Sequence, residues 1–304
     1  MLRIISQIML ATVIVMQAPV LKAQQANLSI ETKRFQKFMG FIGNKLTDFQ
    51  SQNLPNVKSV FYPFGGPDLL YPILLFPNAE RYALIGLETA GHPLSESNLA
   101  QTQKQIDPFL RRGFFVTSSM SGTYNKKSGV RAALALQILL LGGEIISDEL
   151  TDDGVVTITF KMNGAEKTVY YLRRDLTANT DEVFSFLKRV GISDLCMLKS
   201  SSYALHNKIF STFRDGIINH FSYLLQDDTG VPFQFIANNK NKYFGRYKSP
   251  YGQEFRGYLQ SRLVKVYQQN QNEIPEINFC YGYGCGRVQA NFLLSELQGK
   301  KQLD

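Results

Sequence analysis

Two acidic residues beside a glycine turn are the first candidates for chemistry. The turn reads Gly65-Gly66-Pro67-Asp68, and Glu88 follows 22 residues after Gly66. In nucleotide-binding α/β folds a glycine turn lets a ligand approach the backbone, and an acid about 20 residues later holds ribose hydroxyls. The alternative is structural, with Asp68 capping a turn and Glu88 ending a strand. The ligand-binding candidates are Gly65, Gly66, Asp68 and Glu88.

A second pair of acids, Asp227 and Asp228, precedes Thr229-Gly230 after an apolar stretch. Adjacent carboxylates can bind a cation or serve as acid and base. The pattern resembles the Asp-Thr-Gly of aspartic proteases, in which two such aspartates share one proton. No second Asp-Thr-Gly or Asp-Ser-Gly is present. The alternative is an Asx turn that ends in glycine.

His206 and Arg246 complete the candidate catalytic set. Three serines, residues 200–202, precede His206, but hydrolytic triads are recognised by geometry rather than by proximity in sequence. The nucleophile motif Gly-x-Ser-x-Gly is absent. Arg246 lies among tyrosines, and aromatic faces beside an arginine suit sugars or peptides. The alternative for that segment is half-buried loop packing.

The three cysteines are Cys196, Cys280 and Cys285. The glycines between Cys280 and Cys285 allow that loop to close a disulfide, whereas Cys196 lies in an apolar run typical of a buried residue. A metal site is not expected, because none of the three histidines is near a cysteine and there is no Cys-x-x-Cys pair. The residues identify no cofactor.

The elements that would position these residues alternate between strands and helices. A β–α–β unit of about 30 residues is predicted from a strand, a helix and a strand at residues 57–62, 68–76 and 81–88. Asn163-Gly164 between two apolar stretches indicates a hairpin. The predicted fold is therefore α/β, a mixed sheet flanked by helices, with a Rossmann-like start and an Asn-Gly hairpin inserted mid-chain.

The N-terminus has the order of a secretory signal peptide. Arg3 precedes an apolar run from Ile4 to Leu21, and Ala23 offers a small residue for cleavage. The alternative is an uncleaved anchor, but the run is short of the ~20 apolar residues that a spanning helix needs. We expect residues 1–23 to be removed, leaving a periplasmic or extracellular chain without a transmembrane helix. Residues 24–304 would form one domain, or two closely packed halves that divide near residue 180.

The formal net charge is +8, and the lysines and arginines are scattered in runs of at most two. A nucleic-acid partner would require a clustered basic stripe, so none is expected. The charge is compatible with an anionic envelope surface as the partner, and the tyrosines beside arginine in the C-terminal third suit a glycan.

Several short segments carry a resemblance to known proteins. The resemblance is to a group of exported bacterial proteins of unknown function, and it is carried by Phe61-Tyr-Pro-Phe-Gly-Gly-Pro-Asp68, Phe76-Pro-Asn-Ala79, Leu87-Glu88, Gln226-Asp-Asp-Thr-Gly-Val-Pro232 and Phe244-Gly-Arg-Tyr247. The resemblance implies a shared fold and export, and no activity. Residues 57–88 are also locally similar to class I S-adenosylmethionine-dependent methyltransferases, although Gly-Gly-Pro-Asp replaces the Gly-x-Gly of that family. This similarity implies a methyltransferase-like fold that has lost or changed its activity.

Two hypotheses of different class follow. The first is a non-catalytic envelope or ligand-binding protein. The second is an exported, hydrolase-like α/β enzyme that uses a crevice near Asp68 and Glu88. The second predicts that these two acids share a pocket with at least one of His206, Asp228 and Arg246, and that a carboxylate there has a perturbed pKa.

Overall fold

The computed structural model describes residues 28–40, 50–51, 54–112, 124, 129–199, 201–205, 207–227, 246–247 and 292–297. Nine strands in these ranges form one mixed sheet. They are β1 (Ser59–Tyr62), β2 (Arg81–Gly86), β3 (Glu144–Leu150), β4 (Val155–Met162), β5 (Ala165–Arg173), β6 (Leu195–Leu198), β7 (Tyr223–Asp227), β8 (Arg246–Tyr247) and β9 (Phe292–Glu296).

Helices connect the strands. Residues 33–40 are helical, and the later helices are α1 (Leu70–Leu75), α2 (Glu96–Arg112), α3 (Gly129–Leu140), α4 (Thr180–Arg189) and α5 (Ser211–His220). Two short 3-10 helices, Ser202–Leu205 and Lys208–Phe210, follow β6. The helix predicted at residues 68–76 is shorter than expected, because Asp68 lies in the preceding turn and Leu69 stands at the helix start.

The strand order is β3-β4-β5-β2-β1-β6-β7-β9-β8. The five central strands, β5, β2, β1, β6 and β7, run parallel, and the strands at both edges pair antiparallel. The α/β class with a mixed sheet and helices around it is confirmed. After β1 the chain adds β2 on one side, and it later returns to add β6 on the other side.

The central strands are apolar because both of their faces are covered. β1 reads Ser-Val-Phe-Tyr and β6 reads Leu-Cys-Met-Leu, and every residue of both is buried. Their side chains alternate between two apolar clusters, so Val60 and Tyr62 enter one and Phe61 enters the other. Cys196 lies fully buried in the second cluster. Continuous apolar runs of this kind are typical of parallel strands covered on both faces.

The antiparallel part of the sheet contains one element that the sequence pattern did not predict. β4 pairs with β5, and Asn163 and Gly164 between them have φ angles of 51° and 80°. β3 was not predicted, since its residues Glu144-Ile-Ile-Ser-Asp-Glu-Leu150 break the polar–apolar alternation. An irregularity between Ile145 and Ser147 shifts its register against β4, which accounts for the broken alternation.

Reciprocal hydrogen bonds join the amino ends of β1 and β6. The Asp194 carboxylate accepts hydrogen bonds from the backbone N–H groups of Lys58 at 2.8 Å and Ser59 at 3.0 Å. In return, the Ser59 hydroxyl oxygen accepts from the N–H groups of Ser193 at 3.0 Å and Asp194 at 3.1 Å. These bonds set the two strands side by side, so their carboxyl ends emerge next to each other.

Several expectations concern residues that the structure does not describe. The predicted signal peptide at residues 1–23 and the predicted disulfide between Cys280 and Cys285 lie outside the described residues. Within the described ranges, no helix has both the length and the apolar character needed to cross a membrane.

The close packing of α4 against α5 gives a test of the fold. A methyl group added at Gly216 would stand 2.6 Å from Cζ of the Phe184 ring and would overlap its edge. We expect Gly216→Ala to lower the free energy of unfolding by about 1–3 kcal/mol, the usual range for an overpacked site. Gly40→Ala is the control, because an added Cβ there has no atom within 4 Å. Urea unfolding measures both, and equal stability of the two variants would contradict the packing described.

Candidate functional site

The candidate site lies where the carboxyl ends of β1, β2 and β6 meet. β1 pairs in parallel with β2 on one side and with β6 on the other, so the connections after β1 and β6 leave the same edge of the sheet. In open α/β sheets ligands bind at such a switch point. Asp68 follows β1, Glu88 follows β2 and Lys199 follows β6. These three residues are the switch-point cluster.

A buried ion pair connects two members of the cluster. Nζ of Lys199 lies 3.3 Å from Oδ2 of Asp68, and neither side chain is more than 3% exposed. The Tyr62 hydroxyl donates a hydrogen bond to the same carboxylate oxygen at 3.1 Å. The N–H of Tyr71 lies 3.5 Å from the other oxygen, Oδ1. Asp68 therefore binds the following helix only weakly, and its strongest partners are Tyr62 and Lys199.

Aromatic rings enclose the ammonium group of Lys199. The nitrogen lies 4.2 Å from the centre of the Tyr71 ring and 6.0 Å from that of Phe109. The two rings meet edge to face, with their centres 5.9 Å apart. A desolvated cation over an aromatic face gains electrostatic energy from the ring quadrupole. The lysine is thus positioned by both charge and packing.

Burial raises the pKa values of three ionisable groups in this region. Burial raises the pKa of Asp68, and the nearby Lys199 ammonium and the hydrogen bond from Tyr62 offset that rise only in part. Burial also raises the pKa of the Tyr71 hydroxyl, and the charge of Asp68 raises it further. The pKa of Tyr124 is raised first by burial, then by the charges of Glu88 and Asp68. Tyr124 therefore lies within electrostatic reach of both carboxylates.

The carboxylate of Glu88 packs against the backbone of Gly86, which has no Cβ in the way. The Glu88 side chain is almost fully buried, and a Cβ at Gly86 would overlap its Oε2 atom. The same added Cβ would stand 2.9 Å from Cα of Gly66, because the glycine turn also approaches the end of β2. The N–H of Gly66 donates to the carbonyl of Ile85 at 3.2 Å, which fastens the turn there. The Gly65-Gly66 turn and Glu88 can therefore lie close together only because position 86 carries no side chain.

A glutamine on α3 fastens the other side of the turn. Oε1 of Gln137 accepts hydrogen bonds from the N–H groups of Leu69 at 3.0 Å and Leu70 at 3.2 Å. Its Nε2 donates to the carbonyls of Pro67 at 2.6 Å and Ala133 at 2.9 Å. Gln137 thus satisfies backbone groups at the start of α1, where the first N–H groups have no partner within the helix. Sequence reasoning missed Gln137, although a single polar residue in the apolar run of α3 was the available signal.

The structure brings together part of the predicted set. Asp68 and Glu88 lie at one edge of the sheet beside Gly65 and Gly66, as the spacing suggested. Lys199 was not predicted, because its position depends on the pairing of β6 with β1. The remaining candidates lack described side chains, since Asp227 and Arg246 are described only as strand residues and His206 and Asp228 lie outside the described residues.

The donor set does not favour a metal. In the part of the chain that the structure describes, no three residues among His, Cys, Asp and Glu are grouped so that they could hold an ion. Asp68 is already paired with an ammonium group.

No protein-family model and no curated protein matches this sequence.

Removing the ammonium group tests the ion pair. We expect Lys199→Met to lower the free energy of unfolding by about 3–5 kcal/mol, because it leaves an unpaired carboxylate in a dry site. The double variant Asp68→Asn/Lys199→Met removes both charges, so it should recover part of that loss. Lys208→Met, at an exposed position, is the matched control. A double variant no more stable than Lys199→Met would contradict the pairing.

The pH dependence of the same variant gives a second test. The raised pKa of Asp68 means that the folded chain binds this proton more tightly than the unfolded chain. The contribution of Asp68 to the free energy of unfolding is therefore present at low pH and is lost as the pH rises through the folded-state pKa. Lys199→Met removes the charge that lowers the pKa of Asp68. The stability that this variant loses relative to the wild type should therefore be smaller at pH 4 than at pH 8. Urea unfolding across this range measures the difference, and a constant difference would contradict it.

Proposed function

We propose that this chain is an exported ligand-binding protein that holds a small polar molecule at the switch-point cluster. The observation that carries the proposal is the placement of three buried ionisable side chains at one edge of the sheet, beside a glycine turn. Asp68 and Lys199 are paired at 3.3 Å, and Glu88 lies across the turn from them. This is the edge at which ligands bind in open α/β sheets.

The energetics of the cluster favour a binding role over a purely structural one. Removing a carboxylate or an ammonium from water costs several kcal/mol, and apolar residues of similar volume are often at least as stabilising as a buried pair. The surrounding core offers such packing, since Tyr62 and Tyr71 belong to one large apolar cluster. Ionisable groups with shifted pKa values in such positions mark functional sites. Asp68 has a shifted pKa of this kind.

The exported location rests on the N-terminus and on the resemblance. Residues 1–23 have the order of a signal peptide, from Arg3 through an apolar run to Ala23. The short segments shared with exported bacterial proteins favour the same location. The positive net charge favours an anionic envelope surface as the partner, and the tyrosines around Arg246 favour a glycan.

A second candidate is a hydrolase-like enzyme, and the raised pKa of Asp68 favours it. A carboxyl group whose pKa is raised by burial holds its proton at higher pH than a free aspartate and can donate that proton to a leaving group. Lys199 and Tyr62, both bonded to this carboxyl group, would then position it. Turnover of a hydrolysable substrate that Asp68→Asn abolishes would distinguish this candidate from simple binding.

A retained ligand is the direct test of the proposed function. We expect native mass spectrometry of the protein, purified from its own compartment without dialysis, to show a bound mass that denaturation releases. The double variant Asp68→Asn/Lys199→Met should lose this mass, because the polar site is gone, whereas Lys208→Met should keep it. S-adenosylmethionine as the released mass would identify the methyltransferase-like alternative. Wild-type protein that carries nothing would contradict a ligand-binding role.

A reporter fusion tests export separately. Residues 1–23 fused to an alkaline phosphatase, which is active only outside the cytoplasm, should give activity in whole cells. The control fusion carries Val13→Asp and Val15→Asp, which place charges in the apolar run that the secretion machinery recognises. Activity that is absent from the first fusion, or equal in both, would defeat the export proposal.

A further inference from the structure

Glu88 differs from the other two members of the switch-point cluster because it has no cationic partner among the residues that the structure describes. Asp68 and Lys199 form an ion pair with each other. The Glu88 residue is only 5% exposed, and no lysine, arginine or histidine of the described residues lies within ion-pair distance of it. Buried charges in proteins are ordinarily paired.

Hydrogen bonding does not replace the missing cation. The hydroxyl of Tyr171 lies 2.7 Å from the backbone carbonyl oxygen of Glu88 and 3.4 Å from its Oε2 atom. A tyrosine has one proton to donate, and the shorter distance assigns that proton to the carbonyl. The nearby Arg173 donates through Nε to the carbonyl of Leu87 at 3.0 Å. The carboxylate is left without a strong donor from either side chain.

The carboxylate is also held in a fixed place. Its Oε2 atom occupies the space above Gly86 that any other residue would fill with its Cβ. Cα of Gly66 approaches the same position, so the carboxylate lies beside the bare backbone of the turn. A buried acceptor that has one long hydrogen bond, and no cationic partner among the described residues, is prepared for a donor that arrives from outside the chain.

We infer that the ligand of this site is a cation with N–H donors, a primary amine or a guanidinium, whose charged group pairs with Glu88. The inference rests on the proposed ligand-binding function. A neutral polyol would supply hydrogen bonds but would leave the charge of Glu88 uncompensated. A metal ion would need further ligands, and the described residues contain no group of three that could supply them. An ammonium or guanidinium group supplies both the charge and the donors.

The ligand-free protein provides a test that does not require the natural ligand. Glu88→Gln keeps the shape of the side chain and removes its uncompensated charge, so it should raise the midpoint of thermal unfolding of the ligand-free mature chain. Glu166→Gln, at an exposed position of β5, is the control and should change that midpoint little. A lower midpoint for Glu88→Gln would show that the carboxylate stabilises the fold, and would overturn the inference.

Agmatine, which carries both a primary amine and a guanidinium, is the binding probe, with 1,4-butanediol and Mg²⁺ as neutral and metal controls. Agmatine should raise the midpoint of the wild type in a concentration-dependent manner, and the two controls should not. Glu88→Gln should weaken agmatine binding at least about thirtyfold, as expected when one partner of a buried charge pair is removed. No response to agmatine, an equal response of Glu88→Gln, or a response to either control would overturn the inference.

The failure of this inference is distinguishable from failure of the proposed function. If native mass spectrometry finds a retained ligand that is neutral or anionic, ligand binding stands and the cationic class is wrong. If the wild type retains nothing and agmatine gives no response, both are wrong. A retained amine or guanidinium compound that Glu88→Gln loses would support both.

Discussion

The ion pair between Asp68 and Lys199 joins two segments that are 131 residues apart in sequence. Asp68 lies in the connection after β1, and Lys199 directly follows β6. The pair therefore bridges the carboxyl ends of β1 and β6. Such a pair in a dry core is stable only when its remaining polar atoms are satisfied and water is kept out. Tyr62, Tyr71 and Phe109 meet both requirements, because one donates a hydrogen bond and two enclose the ammonium.

The pairing of β1 with β6 is thus fastened at both ends by different chemistry. At the amino ends, Asp194 and Ser59 exchange hydrogen bonds with backbone N–H groups. At the carboxyl ends, the bridge is made by charged side chains within the candidate site. The first fastening joins residues that are 134–136 apart in sequence and lies at the opposite end of the strands from the candidate site. The second lies within the candidate site, so a change in the charge of Asp68 or Lys199 acts directly on the contact between the two central strands.

The parts of the site that could be predicted from the sequence are those encoded within short distances. Asp68 and Glu88 belong to one β–α–β unit, whose geometry follows from the spacing of its apolar residues. Lys199 could not be predicted, because nothing in its neighbourhood indicates that β6 pairs with β1. The strand β3 was missed since its polar residues lie at an irregular edge. Tertiary pairing, rather than local pattern, decided both of these positions.

Gly86 links the backbone of β2 to the placement of the Glu88 carboxylate, since any side chain at position 86 would displace Oε2 and press on Gly66. We therefore expect variation at positions 86 and 88 to be coupled during evolution. A homologous chain that acquires alanine or a larger residue at 86 has to give up the acid at 88, the tight turn at 66, or both. Co-occurrence of the two glycines with the acid would mark the lineages that keep this site, and their joint loss would mark those that do not.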